Sequence, residues 1–317
     1  EPALADLTGD KLETPLLNFG IFDAPLDERE FPDLIRPAPA GEARLGDFAP
    51  DWDFATYKDR FDRLHRHLMQ GDIYQANLTF PIHARWEGEP LALFDALTAR
   101  QPVRYGACVE LDGPAIVSRS PELFFRVDEE GFIETHPMKG TAPRREDPAA
   151  DALEVELLRT SEKTLAENRM IVDLLRNDIS RISRTGTLHE PSLFEVETYP
   201  TLHQMISRVR ARLQPDRSIR DIFTALFPCG SITGAPKISA MRILRELEET
   251  PRQAYCGAIG FIAPGGTMRF SVAIRTLSLF EDGRATFNVG GGIVLDSDAR
   301  AEYDEALLKA RFAGKPI

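Results

Sequence analysis

Residues 161–184 carry a helical pattern of apolar positions: Met170, Ile171, Leu174, Leu175, Ile179 and Ile182 form one stripe that can face a core. Ser161 can start that helix, with Thr164 three residues on. Its polar face mixes Glu167 and Asp173 with Arg169 and Arg176, as an ordinary surface helix would. A second helix is predicted from Phe54 to Gln70, where Phe54, Tyr57, Phe61, Leu64, Leu68 and Met69 keep the same period and Gly71-Asp72 ends it. His65 and His67 lie on it at a spacing that cannot share a metal face, so they read as solvated.

Shorter patterns predict strands at 15–22, 73–80, 105–111, 115–117, 193–199, 201–213, 255–262, 267–277 and 285–289, and helices at 91–100, 219–227 and 299–313. Residues 145–159 are polar and helix-prone. A hairpin is expected around Asp128-Glu-Glu-Gly131, and another around Ala263-Pro-Gly-Gly266. The proline-rich stretch 31–41 reads as an extended linker, which places a remnant N-terminal segment at 1–50 and the main domain at 51–317. Strands interspersed with helices, without β-α-β alternation and without internal repeats, predict an α+β fold.

Composition narrows the function. With 317 residues and 43% hydrophobic positions the chain can build a real core, and a formal net charge of −12 argues against a nucleic-acid ligand. An anionic ligand would need positive charge gathered locally. Cys108, Cys229 and Cys256 are odd in number and lack Cys-x-x-Cys spacing, as expected of reduced thiols in a cytoplasmic protein. The sequence has neither an apolar run of the ~18 residues a membrane span needs nor an export signal at its start.

Several positions carry candidate chemistry. The hairpin brings Glu122, just before its first strand, and Lys139, just after its second, to one end; an acid and an amine nucleophile would suit that placement. Arg144 and Arg145 could lower the pKa of the amine. On spacing alone a surface ion pair is the commoner outcome. The loop Gly230-Ser-Ile-Thr-Gly-Ala-Pro-Lys237 feeds a helix, where free amides and Lys237 favour an anion; a plain helix cap explains it equally well. It lacks the residue order of a P-loop. Arg275 interrupts an apolar run, which calls for an anion or a buried ion pair. Gly290-Gly-Gly292 allows close backbone approach, or simply a bulge. Glu302, Glu305 and Lys309 share a helix face that could help hold Mg²⁺ or form a solvated ion pair.

Taken in order, Gly71-Asp-Ile-Tyr-Gln-Ala-Asn77, Ala166-Glu-Asn-Arg-Met-Ile-Val-Asp-Leu-Leu-Arg-Asn-Asp178, Gly230–Lys237, Ile274-Arg-Thr276, Gly290-Gly-Gly-Ile-Val294 and Glu302-Tyr-Asp-Glu-Ala-Leu-Leu-Lys309 resemble the chorismate-utilising enzymes from about Trp52 to the C-terminus. The resemblance implies two antiparallel sheets packed as a sandwich with helices outside. Pro137-Met-Lys-Gly-Thr141 looks like the version that aminates chorismate, whereas members forming anthranilate carry alanine at position 139. The family then implies that Lys139 attacks C2 of chorismate, that Glu122 protonates the departing 4-hydroxyl, and that ammonia adds at C4 to give 4-amino-4-deoxychorismate, a precursor of 4-aminobenzoate and folate. It implies Mg²⁺ on Glu167 and Glu305 with Glu302 close by, and substrate contacts from Ser231, Thr233, Gly234, Lys237, Tyr255, Arg275, Gly290, Gly291, Gly292 and Lys309. It also implies a glutamine amidotransferase subunit as ammonia source. Gln204 stands where anthranilate-forming members have histidine, with His203 beside it pointing to the other face of a strand. The other readings are anthranilate or isochorismate formation, and a non-catalytic chorismate-binding subunit.

Overall fold

A computed structural model describes residues 12–23, 25, 42–199 and 202–314. The expected linker at 31–41 and the first residues of the chain lie outside these. In order, the elements are β1 (Arg44–Leu45), β2 (Ala49–Pro50), α1 (Phe54–Gln70), β3 (Gln75–Glu87), α2 (Pro90–Arg100), β4 (Tyr105–Val109), β5 (Ala115–Ser120), β6 (Leu123–Val127), β7 (Phe132–Thr135) and β8 (Met138–Pro143). Helices α3 (Pro148–Thr160) and α4 (Glu162–Ser180) follow, then β9 (His189–Thr198), β10 (Leu202–Arg212), α5 (Ile219–Leu226), β11 (Gly234–Ala235) and α6 (Lys237–Glu248). The chain continues through β12 (Ala258–Ile262), β13 (Met268–Val272), β14 (Thr276–Leu279), β15 (Arg284–Ile293) and α7 (Ala299–Ala310). No helix among the described residues is long and apolar enough to cross a membrane.

The described residues form two compact units, one drawn from Glu122–Ala235 with Ala258–Val272, the other from the described residues up to Pro121 with Pro236–Gly257 and those from Ala273 to Gly314. In the first unit, antiparallel strands run in the order β12-β13-β6-β7-β10-β8, with β9 on β10. Phe124, Phe125, Phe223, Phe227 and Phe270 form an aromatic cluster, with Phe223 edge-on to Phe270 at 5.2 Å between centroids and Phe125 stacked on Phe270. Helix α4 starts where the Ser161 hydroxyl accepts from the Thr164 amide, and buries Asn168, Ile171, Val172, Leu175 and Ile179. Its rotation is pinned by polar contact as well: Ser207 Oγ donates to Asn168 Oδ1 at 2.6 Å while accepting from the Phe194 amide.

In the second unit, antiparallel β1-β3-β15-β14-β5-β4 form the sheet. Helices α1, α6 and α7 add Tyr57, Leu64, Leu244, Tyr303 and Ala306 to its apolar core. Helix α1 has its expected bounds for local reasons: the Asp53 carboxylate caps the Thr56 amide, and Gly71, at φ +79°, ends it. His65 and His67 stay at its surface, bonded to the Leu295 carbonyl and to Asp72. Under β3, Glu248 accepts from the Thr79 amide at 2.9 Å and from Arg252 Nε at 2.8 Å, while Arg252 also donates to the Asn77 carbonyl. Burial works against the Arg252 charge, and the Glu248 carboxylate more than offsets it. Replacing Glu248 with alanine strands a buried guanidinium, so it should cost about 3–5 kcal/mol in urea-unfolding stability.

Three expectations fail. Residues 15–22 form no strand; Leu16, Leu17, Phe19, Ile21 and Phe22 are exposed, and the segment is tied down by Asn18 donating to the Asp112 carbonyl and by Gln253 accepting from Glu13 and Thr14. The run 267–277 is two strands, β13 and β14, because Arg275 turns left-handed at φ +51° with its carbonyl accepting from the Arg119 amide. The glycines at 290–292 do not end a strand: β15 runs through them, pairing Gly290 with Thr79, Gly291 with Leu78 and Gly292 with Asn77.

Candidate functional site

Glu122 lies just before β6, and the chain reaches Lys139 in β8, after β7. Asp128 Oδ1 accepts from the Glu130 and Phe132 amides to form the turn, and Thr135 Oγ1 donates to the Phe124 carbonyl at the far end. Glu122 precedes β6 and is 6% exposed. Its Oε1 accepts from Ser231 Oγ at 2.6 Å, and that hydroxyl also meets Cys229 Sγ at 3.2 Å. Ser231 therefore contacts the acid directly, a role the sequence had no local signal for. Lys139 differs from expectation: instead of simply following the hairpin, it lies within a further strand, β8, paired with β10. Arg144 and Arg145, expected to act on its amine, are committed elsewhere. Arg144 Nε pairs with Asp151 at 3.1 Å and Arg145 Nη2 with Glu154 at 2.6 Å, so carboxylates on α3 compensate both.

The Gly230 loop is held by packing. A Cβ on Gly230 would lie 2.6 Å from Leu174 Cδ2, so α4 sits directly against it. Thr233 is buried and donates to the Cys229 carbonyl, which makes it a brace of the turn; Gly234 is buried beside it in β11. Glu167, next to the buried Asn168, has a 25% exposed side chain 4.0 Å from Lys163.

In the second unit, Lys237 is the first residue of α6, whose N-cap, Pro236, offers no side-chain acceptor, so the first amides keep donor capacity. Tyr255 is buried in a turn, and that burial pushes its phenol well above the usual range, keeping it a neutral donor. Arg275 follows β13 in its left-handed conformation. The glycine strand and α7 meet closely. Lys309 Nζ donates to the Gly290 carbonyl at 3.0 Å and pairs with Glu305 at 2.8 Å. Glu302 Oε1 accepts from Ser297 Oγ, and its Oε2 lies 3.1 Å from where a Cβ on Gly291 would be, so a larger residue there would press on that carboxylate. Among the described residues no three acidic, His or Cys side chains form a ready metal cage. Carboxylate oxygens still suit Mg²⁺, which keeps several waters and needs one or two protein carboxylates.

A second carboxylate on the hairpin was missed in the sequence, although strand alternation places Glu134 and His136 on one face. Glu134 accepts from His136 and from Arg126 Nη2, and these hydrogen bonds hold its carboxyl down to about 2. A carboxyl with a lowered folded pKa stabilises fully above its unfolded value of 4.5, and that contribution is lost as the pH falls toward 2. Urea unfolding between those pH values should show a loss of roughly 3 kcal/mol that the Glu134→Gln variant lacks.

The family model described as "chorismate binding enzyme" matches residues 24–314. The chain is 43% identical over 253 residues to aminodeoxychorismate synthase component 1 of Klebsiella aerogenes, covering 80% of this chain and 56% of that protein. It is 43% identical over 261 residues to the protein of the same name from Salmonella typhimurium, covering 82% and 57%. The chain thus spans little more than half the length of these relatives. Among solved structures, anthranilate synthase component I from Streptococcus pneumoniae superposes with a TM-score of 0.79 at 33% identity, covering 90% of this chain and 64% of that one. With two antiparallel sheets and helices as observed, and with a family match running over nearly all its residues, the chain belongs to the chorismate binding enzyme family.

Proposed function

We propose that this chain is the chorismate-aminating component of an aminodeoxychorismate synthase. The observation that carries the reading is a lysine at position 139, in the strand that follows the hairpin opened by the buried, hydrogen-bonded Glu122. The names of the relatives support it. The Lys139 amine adds to C2 of chorismate, both conjugated ring double bonds shift, from C1=C2 and C5=C6 to C1=C6 and C4=C5, and the C4–O bond breaks. Glu122 supplies the proton with which that oxygen leaves as water. Ammonia then forms the C4–N bond, both double bonds shift back, and the C2–N bond to lysine breaks, giving 4-amino-4-deoxychorismate and the original amine.

The other residues bind and orient. Lys309, Arg275, Tyr255, Lys237 and the amides of the Gly230 and Gly290–Gly292 segments supply donors for the carboxylates of the substrate. Glu302 and Glu305 on α7 would offer carboxylate oxygens to Mg²⁺, which when bound would neutralise a substrate carboxylate. Ammonia comes from a glutamine amidotransferase partner, consistent with relatives named as a component 1.

One observation favours a second reading: the 33% identical Streptococcus pneumoniae structure is an anthranilate synthase component I. Product identity separates the two. Purified protein given chorismate, Mg²⁺ and ammonium should yield 4-amino-4-deoxychorismate by mass spectrometry. Fluorescent anthranilate in its place would support the second reading, and chorismate binding without turnover, even with a glutaminase present, would reduce the chain to a binding subunit.

A further inference from the structure

We infer that Gln204 is a positioning residue for Lys139, acting through a bulge in the backbone of β8; this rests on the reading of Lys139 as nucleophile. In the β8–β10 pairing, Met138 lies opposite Ile206 and Thr141 opposite Gln204. Three steps along β8 therefore match two along β10, and Lys139 and Gly140 share the place opposite Met205. Gly140 takes the left-handed conformation, at φ +89°, as a bulge of this kind requires. A bulge re-aims a side chain but gives up ladder hydrogen bonds, so something else must hold it.

Gln204 does that with both ends of its amide. Nε2 donates to the Gly140 carbonyl at 2.7 Å, and Oε1 accepts from Thr141 Oγ1 at 3.0 Å. The Gly140 carbonyl can only accept, which decides which end of the amide faces it. Elsewhere around Gly140 the space is full: a Cβ there would lie 2.2 Å from Thr164 Cγ2 and 3.0 Å from Leu158 Cδ1. The Gly140 peptide is thus wedged between side chains of α3 and α4 and the Gln204 amide. The held carbonyl belongs to the Gly140–Thr141 peptide, so fixing it fixes Gly140 and, one residue back within the bulge, the backbone from which the Lys139 side chain starts. The neighbouring His203 is occupied on the other face of β10, with Asp151 and Thr198, and cannot substitute. Among side chains of this length only an amide offers a donor and an acceptor together. Glutamate would set a negative charge against the Gly140 carbonyl, and methionine would offer neither bond.

The test compares steady-state turnover of chorismate with ammonium, together with the rate at which chorismate alone adds to the Lys139 peptide, read by mass spectrometry. Gln204→Met should lower kcat and the adduct rate together by roughly 10- to 100-fold, with KM for chorismate changed by no more than about 2-fold, the mark of lost positioning rather than lost binding. At the exposed partner, Thr141→Ser should behave as wild type and Thr141→Val should lose activity. Because both act through one contact, the Gln204→Met/Thr141→Val double variant should be no slower than Gln204→Met. Unchanged kcat in Gln204→Met, a change confined to KM, or equal losses from Thr141→Ser and Thr141→Val would overturn the inference. Lys139→Ala separates the two levels: if it is inactive while Gln204→Met and Thr141→Val are unimpaired, only the positioning role falls; if it retains full turnover, the nucleophile falls and the positioning role with it.

Discussion

Lys139→Ala should lose turnover of chorismate by a factor on the order of 10³ or more, because without the amine no covalent bond at C2 activates the leaving group. The effect should fall on kcat. Chorismate binding, followed by calorimetry, should survive, since the groups proposed to recognise carboxylates, Lys309 and Lys237 among them, are other residues of the chain. The fold should also survive, because Lys139 is partly exposed on a strand whose buried contacts come from Ala142.

Glu122→Gln should lower kcat by about 10²- to 10⁴-fold, the usual range for a general acid. The change is nearly isosteric, and the Ser231 hydroxyl at 2.6 Å can still donate to the amide oxygen, so the local structure should hold. What disappears is the proton for the departing hydroxyl. A substrate analogue whose C4 leaving group needs no proton should restore much of the rate to Glu122→Gln and none to Lys139→Ala. That contrast assigns the two roles separately. Ser231→Ala should have a smaller effect, since it orients the acid without replacing it.

Much of the scaffold was legible in the sequence because local chemistry decides it. Gly71 ends α1, Ser161 opens α4 and Asp128 forms the hairpin turn. Patterns fail where a distant partner decides. The break at Arg275 depends on the Arg119 amide, far away in sequence, while the β-prone residues on either side read as one strand. Glycines 290–292 carry no side-chain alternation, so nothing local shows that β3 pairs with them throughout. The apolar residues at 15–22 look like a strand but find no ladder.

The site divides in the same way. The hairpin that separates Glu122 from Lys139 can be read from its turn residues, but the further strand that holds Lys139 cannot, and the chemistry proposed for the two came only from the resemblance of several motifs in order. The contacts that equip the site are long-range and side chain to side chain: Ser231 on Glu122, Ser207 on Asn168, and Gln204 on Thr141. No periodicity encodes these.

The most direct measurement of the nucleophile is to incubate the purified chain with chorismate in the absence of ammonia, digest it, and weigh the peptide that carries residue 139. An adduct on Lys139 with the mass of chorismate less one water, discharged when ammonium is added, is the expected result. An unmodified Lys139 in a preparation that turns over chorismate, or an adduct on another residue, would contradict it.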